Sequence, residues 1–217
     1  MGYGESLDSP KSEVQCDNHQ QTIPKTEGLE FSHTVRSQTF WVILAIFFLF
    51  YICLQMTMTH IYNYATDIGI SSSVAATLIS LIRGCRIMGR LAMGIVSDQF
   101  STKIAVLICT LFIAASFLLI IFADSVSMFY IFAVVFGVAY GGEISLIPVI
   151  TGHYLGLKAL GVVVGSVISA ACLGTAIGPL LSGIIFDSVG SYTPSFVVAA
   201  ILSMIAVIFT LLLHPVE

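Results

Sequence analysis

Six apolar runs separated by short polar breaks set the pattern of this chain. They extend over Phe40 to Thr59, Val74 to Ser97, Ile104 to Ala123, Ser127 to Thr151, Leu160 to Phe186 and Pro194 to Leu213. Each is about 20 residues or longer, and an α-helix rising about 1.5 Å per residue crosses about 30 Å of hydrocarbon in that length. The breaks, TDIGISSS, DQFSTK, DSVS, GHYLGLK and DSVGSY, are short and carry the Asp, Gly and Ser residues that favour turns. Short turns between long helices predict one antiparallel bundle of six helices over residues 38–217.

Residues 1–37 break the pattern. They hold six of the twelve acids, Glu5, Asp8, Glu13, Asp17, Glu27 and Glu30, together with Lys11, Lys25 and Arg36. The basic-then-apolar order of a signal peptide is missing, so a retained, mostly disordered tail is predicted, with at most a short helix before the first span.

Composition fixes the solvent. With 57% hydrophobic residues, 9% charged residues and a mean hydropathy of +1.00, the chain has too little charge to cover a water-facing surface. An all-α integral membrane protein in a lipid bilayer is the expectation. The net charge of −4 comes largely from the tail, and no basic cluster offers a surface to nucleic acid. The five cysteines, Cys16, Cys53, Cys85, Cys109 and Cys172, are scattered without metal-ligand spacing, so small core thiols are expected and neither a metal nor another cofactor. Intramembrane hydrolysis has no support either: there is no HExxH, no plausible Ser/His pair in facing helices and no Asp pair within the spans.

Orientation follows from the cations. Lys11, Lys25 and Arg36 before the first span, Lys103 between the second and third, and Lys158 between the fourth and fifth share one side, while the opposite breaks carry Asp67, Asp124 and Asp187. The positive-inside rule then places both termini in the cytoplasm, with the cell membrane as the expected location.

Polar residues inside the spans mark the candidate chemistry. Arg83, Arg86 and Arg90 are three and four apart in RGCRIMGR, so they project from one helix face and can line one cavity. Arg90 lies about two turns from the cytoplasmic boundary at Asp98, within snorkelling reach, whereas Arg83 lies about four turns in. Depth makes Arg83 the better candidate to meet an anion, with Arg86 in support, and Arg90 the better candidate for a structural ion pair. Glu143 is the acid of a helix interior, in FGVAYGGEISLIP, at a depth similar to Arg86 and Arg90. Two readings stand for it: an ion pair with one of these arginines, or a carboxyl that carries a proton. His60, in the polar and aromatic rim QMTMTHIYNY, is a candidate proton-linked or substrate-facing group. In the fifth run, Gly161, Gly165 and Ser169 are four apart, as are Gly174 and Gly178, which predicts close helix packing, with Pro179 weakening or bending the helix.

These stretches carry a resemblance. RSQTFWVILAIFFLFY, HIYNYATDIGISSSVAATL, GRLAMGIVSDQFSTK, YGGEISLIPVITGHYLGLKALG and GPLLSGIIFDSVGSYTPSFVVAAIL resemble, in order, the seventh to twelfth helices of a major facilitator superfamily transporter. The branch most similar is that of the oxalate/formate antiporters and monocarboxylate porters. The resemblance covers Arg36 to the end, and makes residues 1–37 similar to the central linker between two six-helix halves. Gly165, Gly174, Gly178, Pro179 and Gly183 also fit the superfamily's antiporter motif, with Ser182 replacing a glycine. Arg90 matches the branch's Gly-Arg position, while Arg83 and Arg86 stand where members usually have small or uncharged residues. The membrane-centre lysine of oxalate carriers is missing, since Lys158 is at the cytoplasmic end.

The resemblance implies half of a twelve-helix fold and a secondary transporter, an antiporter or symporter of small organic anions such as monocarboxylates, with protons as a candidate partner. Transport would proceed by alternating access against a second six-helix half or a second copy. Arg83 and Arg86 would attract the carboxylate, and Glu143, Arg90 and Asp98 would form the ion pairs that hold one state. The alternative is a non-transporting fragment or membrane subunit that stabilises another chain through the fifth helix.

Overall fold

A computed structural model describes residues 34–123, 125–157 and 159–213. The tail expectation for residues 1–33, and Lys11, Lys25, Asp124 and Lys158 of the orientation argument, lie outside the described residues. Six helices follow one another: α1 (Gln38–Asp67), α2 (Ser72–Gln99), α3 (Thr102–Ile121), α4 (Val126–Leu155), α5 (Leu160–Val189) and α6 (Thr193–Leu211).

Local sequence starts and stops them. Ser37, Ser71 and Ser101 stand before α1, α2 and α3, and each hydroxyl accepts from the backbone N–H three residues on, at 3.2, 3.4 and 3.2 Å. Such caps satisfy amides that the first turn leaves without a partner. Beyond α1 and α5 the chain turns at Gly69 and Gly190, with φ of +90° and +71°, a backbone conformation that side chains with a Cβ resist.

Five of these helices are long and apolar enough to cross a membrane. The exception is α2, whose apolar run is interrupted by Arg83, Arg86 and Arg90. The helices also outrun the apolar spans. α1 continues through the rim to Asp67, because Ile61, Tyr64 and Ala65 remain buried there and keep the last turns attached to the bundle.

Two pairings dominate, α2 against α4 and α1 against α5, with α3 packed on α4 and α6, and α6 also on α1. One core cluster gathers Phe117, Phe129, Phe132, Phe136 and Phe196 around Leu54 and Tyr64; a second joins Phe40, Phe47, Cys109, Leu146 and Ile150. Outward, Leu118, Leu180, Ile184, Ile201 and Ile208 are all exposed, which suits a surface solvated by lipid. The chain is an integral membrane protein.

Candidate functional site: an arginine cavity

Glycine decides how closely α2 approaches α4. A Cβ at Gly141 would run into the backbone carbonyl of Arg86, and one at Gly89 into the carbonyl of Val138. At Gly137 the obstacles would be the Ile82 carbonyl at 2.7 Å and the Cys85 Cβ at 2.8 Å. This contact holds Arg86 beside Tyr140, with its guanidinium carbon 4.2 Å from the ring centroid. A cation over an aromatic face is stabilised by about 0.5–2 kcal/mol, more as water is excluded.

Arg83, Arg86 and Arg90 all line one cavity of about 580 Å³, whose other walls are Gln55, Met58 and Thr59 of α1, Ile87 of α2 and Tyr140 of α4. Among the described residues, no acid stands in that wall. Three guanidiniums, an amide, a hydroxyl and a phenol around one concavity make a site that can hold an anion by charge-assisted hydrogen bonds.

The remaining candidates lie elsewhere. Glu143 is fully buried, and neither of its carboxyl oxygens has a hydrogen-bond partner among the described residues. The expected ion pair with Arg86 or Arg90 is not formed, and Asp98 is exposed. Along the helices Glu143 is nearly level with Arg86, whose carbonyl abuts Gly141, and azimuth is what separates them. Glu143 is two residues beyond Gly141, about 200° around α4 from the α2 contact. Its carboxyl instead lies within electrostatic reach of Tyr51 on α1 and Cys109 on α3.

His60 does not join the arginines either. Its ring turns to α5 and α6, with Nε2 3.4 Å from the Pro179 carbonyl oxygen and the ring centroid 5.1 Å from that of Tyr192. Thr59 takes the cavity position, and one residue moves the side chain about 100° around the helix. Gln55 and Thr59, four apart on α1, are cavity residues that the sequence offers only as part of the rim. Tyr140 is the residue most readily missed, hidden in an aromatic-rich run.

In α5 the two small-residue pairs separate. Gly174 and Gly178 sit on α1, where an added Cβ would lie 2.6 Å from the carbonyls of Phe48 and Ile52 respectively. Gly161 and Gly165 are exposed, with nothing within 4 Å of an added Cβ, so within this bundle they pack against no other helix. The 13 residues from Gly161 to Gly174 turn the helix about 220° beyond whole turns, onto the opposite face. α5 continues through Pro179 as a single helix. On the side of the bundle that carries the turn between α2 and α3, Lys103 donates to the carbonyls of Leu211 and Leu213 at 2.9 and 2.7 Å, closing the end of α6.

Comparison with known proteins defines the class. The sequence profile of the Major Facilitator Superfamily matches residues 45–217, and the chain belongs to this family. Monocarboxylate transporter 12 of Homo sapiens is 26% identical over 171 residues, which are 77% of this chain and 33% of that protein. Its Xenopus laevis counterpart is 30% identical over 165 residues, 73% of this chain and 36% of that protein. The chain thus spans about a third of the length of these curated relatives. Among solved structures, the E. coli fucose:proton symporter superposes with a TM-score of 0.72 at 15% identity, over 86% of this chain and 46% of that one. A peptide transporter superposes with a TM-score of 0.67 at 16% identity, over 89% of this chain and 40% of that one. At such identity the structural likeness establishes the fold: six helices with the arrangement of half a superfamily transporter.

Proposed function

We propose that this bundle is one half of a secondary transporter, not an enzyme, and that it moves small organic anions, monocarboxylates among them, by rocking against a second six-helix half. The observation that carries the reading is the cavity where Arg83, Arg86 and Arg90 converge with Gln55, Thr59 and Tyr140 and, among the described residues, no acid. Cations at such depth are costly unless an anion or water-filled space receives them, and ligand sites commonly measure about 300–1,000 Å³. The similarity to proteins named monocarboxylate transporter 12 supports the substrate class. The likeness in fold to a fucose:proton symporter makes protons the co-substrate to test first. Residues 1–37 act as the linker between halves, 38–217 as the transport half, and both termini face the cytoplasm, most simply in the cell membrane.

The test is binding of labelled lactate, formate and oxalate to the purified chain in lipid nanodiscs, followed by uptake into proteoliposomes under a proton gradient. Saturable binding that Arg83→Gln weakens with unchanged membrane insertion is expected. Equal affinity in wild type and Arg83→Gln would remove Arg83 from the site, and absence of binding to folded protein would overturn the anion reading for this half alone.

The exposed Gly161 and Gly165 face favours a second reading, a bundle whose task is to pair with another chain through α5. Co-purification of a specific chain, lost on Gly165→Leu, would support it. Solitary, folded bundles in lipid would argue against it.

A further inference from the structure

The three arginines of the cavity do not stand alike. Arg86 is half-buried, its guanidinium carbon lies 4.2 Å from the Tyr140 ring centroid, and its Nε is buried with no hydrogen-bond partner among the described residues. Arg83 and Arg90 are exposed and flank it, three residues before and four after. They leave α2 about 10 Å apart along its axis and close to two full turns on, so both point the same way. Ile87 stands between them on that face, and Met58 of α1 adds a second apolar side chain to the same cavity.

A single carboxylate serves this arrangement badly. Its two oxygens match the fork of one guanidinium or bridge two that come close, which leaves the far arginine without an acceptor. One negative charge also leaves two of the three cations without a counter-charge, in a wall that holds no acid among the described residues. The Tyr140 ring eases that deficit for Arg86 alone. Two acid groups on one short carbon chain meet both needs.

We propose that the cavity is built for dicarboxylates: one carboxylate on Arg83, the other on Arg90, the carbons between them against Ile87 and Met58, and the guanidinium of Arg86 donating from the Tyr140 side. The proposal rests on the anion reading of the cavity and narrows it, since a monocarboxylate fills only one end and binds more weakly.

Succinate and butyrate have the same number of carbons and differ by one acid group. Their affinities for the purified chain in lipid nanodiscs are compared at a pH where every carboxyl is ionised. Succinate should bind at least about tenfold tighter, the scale of one hydrogen bond to a charged group. Arg90→Gln should bring the two acids within about threefold of each other, and Arg90→Lys, which keeps the charge without the fork, should restore part of the preference. Equal affinities in the wild type overturn the proposal, leave the anion reading standing and need no variant to fold. Absence of binding by either acid overturns both. Oxalate, whose acids are bonded directly, and inorganic phosphate, whose charges share one centre, test the span. Either of them binding as tightly as succinate overturns the two-ended site in favour of a single anion centre.

Discussion

Two helix crossings in this bundle use the same device and do different work. Gly137 and Gly141 bring α4 onto α2, and Gly174 and Gly178 bring α5 onto α1; in each pair the glycines are four residues apart, and in each the obstacle to a side chain is a backbone carbonyl of the neighbouring helix. The first crossing carries charge: Arg86 leaves it over Tyr140, and Arg83 and Arg90 enter the same cavity. The second brings Ile52, Met56 and Gln55 against α5 and contributes to the cavity only through Gln55. Close backbone contact thus accounts for architecture in both places, and the side chains that leave the crossing decide whether chemistry follows.

The sharpest way to break the first crossing is Gly141→Ala. A single methyl group there meets the Arg86 carbonyl, which cannot move without displacing α2, and overpacking of this kind costs about 3 kcal/mol. Loss of stability in reversible unfolding from mixed micelles should be accompanied by loss of anion binding. Wild-type stability in Gly141→Ala would show that the two helices can part without penalty. Gly174→Ala should cost less, about 2 kcal/mol, because the nearest atom, the Phe48 carbonyl oxygen, is farther from the added Cβ. It should leave anion affinity within about twofold, since the cavity reaches this crossing only at Gln55. Equal loss of binding in both variants would mean that the crossings act as one unit.

How far this contrast can be read in sequence depends on which coordinate a pattern encodes. Spacing gives the relation of one residue to the next along a helix. The convergence of Arg83, Arg86 and Arg90 on one cavity therefore needs only the 3.6-residue turn. Level along a helix follows as simply, from the number of residues to Asp98. Azimuth between helices is different, because it depends on which face each neighbour buries. Glu143 is nearly level with Arg86 and still turns away from it, toward Tyr51 and Cys109. The same gap explains His60, one residue past the cavity-lining Thr59, and Gly161, on the far face of α5 from Gly174. Gly137 and Gly141 were as legible as Gly174 and Gly178, but GVAYG lies beside the conspicuous Glu143, and Tyr140 within it reads as one more aromatic of a hydrophobic run.

Within the charged crossing, the residues can be ranked. Arg83→Gln removes a cation that stacks on no aromatic ring among the described residues, and should weaken anion binding by at least about tenfold, roughly the 1.5–3 kcal/mol of a hydrogen bond to a charged group. Tyr140→Leu keeps every arginine but removes the ring beneath Arg86, and a loss of about three- to tenfold in affinity is expected from a cation–π contact of this kind. Titration of lactate against both variants checks the order. A larger loss in Tyr140→Leu than in Arg83→Gln would make the positioned Arg86 the principal anion contact, and move the centre of the site toward α4.

The smallest effect on the bundle itself belongs to the glycines that lie on neither crossing. Gly165 faces outward with nothing within 4 Å of an added Cβ, so Gly165→Leu should change the stability of the isolated bundle by no more than about 0.5 kcal/mol. Its effect should appear only when a second six-helix body is present, as a loss of association measured by cross-linking or co-purification in lipid. A destabilised solitary bundle would contradict the open face described for α5. Unchanged association would leave Gly161 and Gly165 facing lipid, and confine close helix contact to the two crossings inside this half.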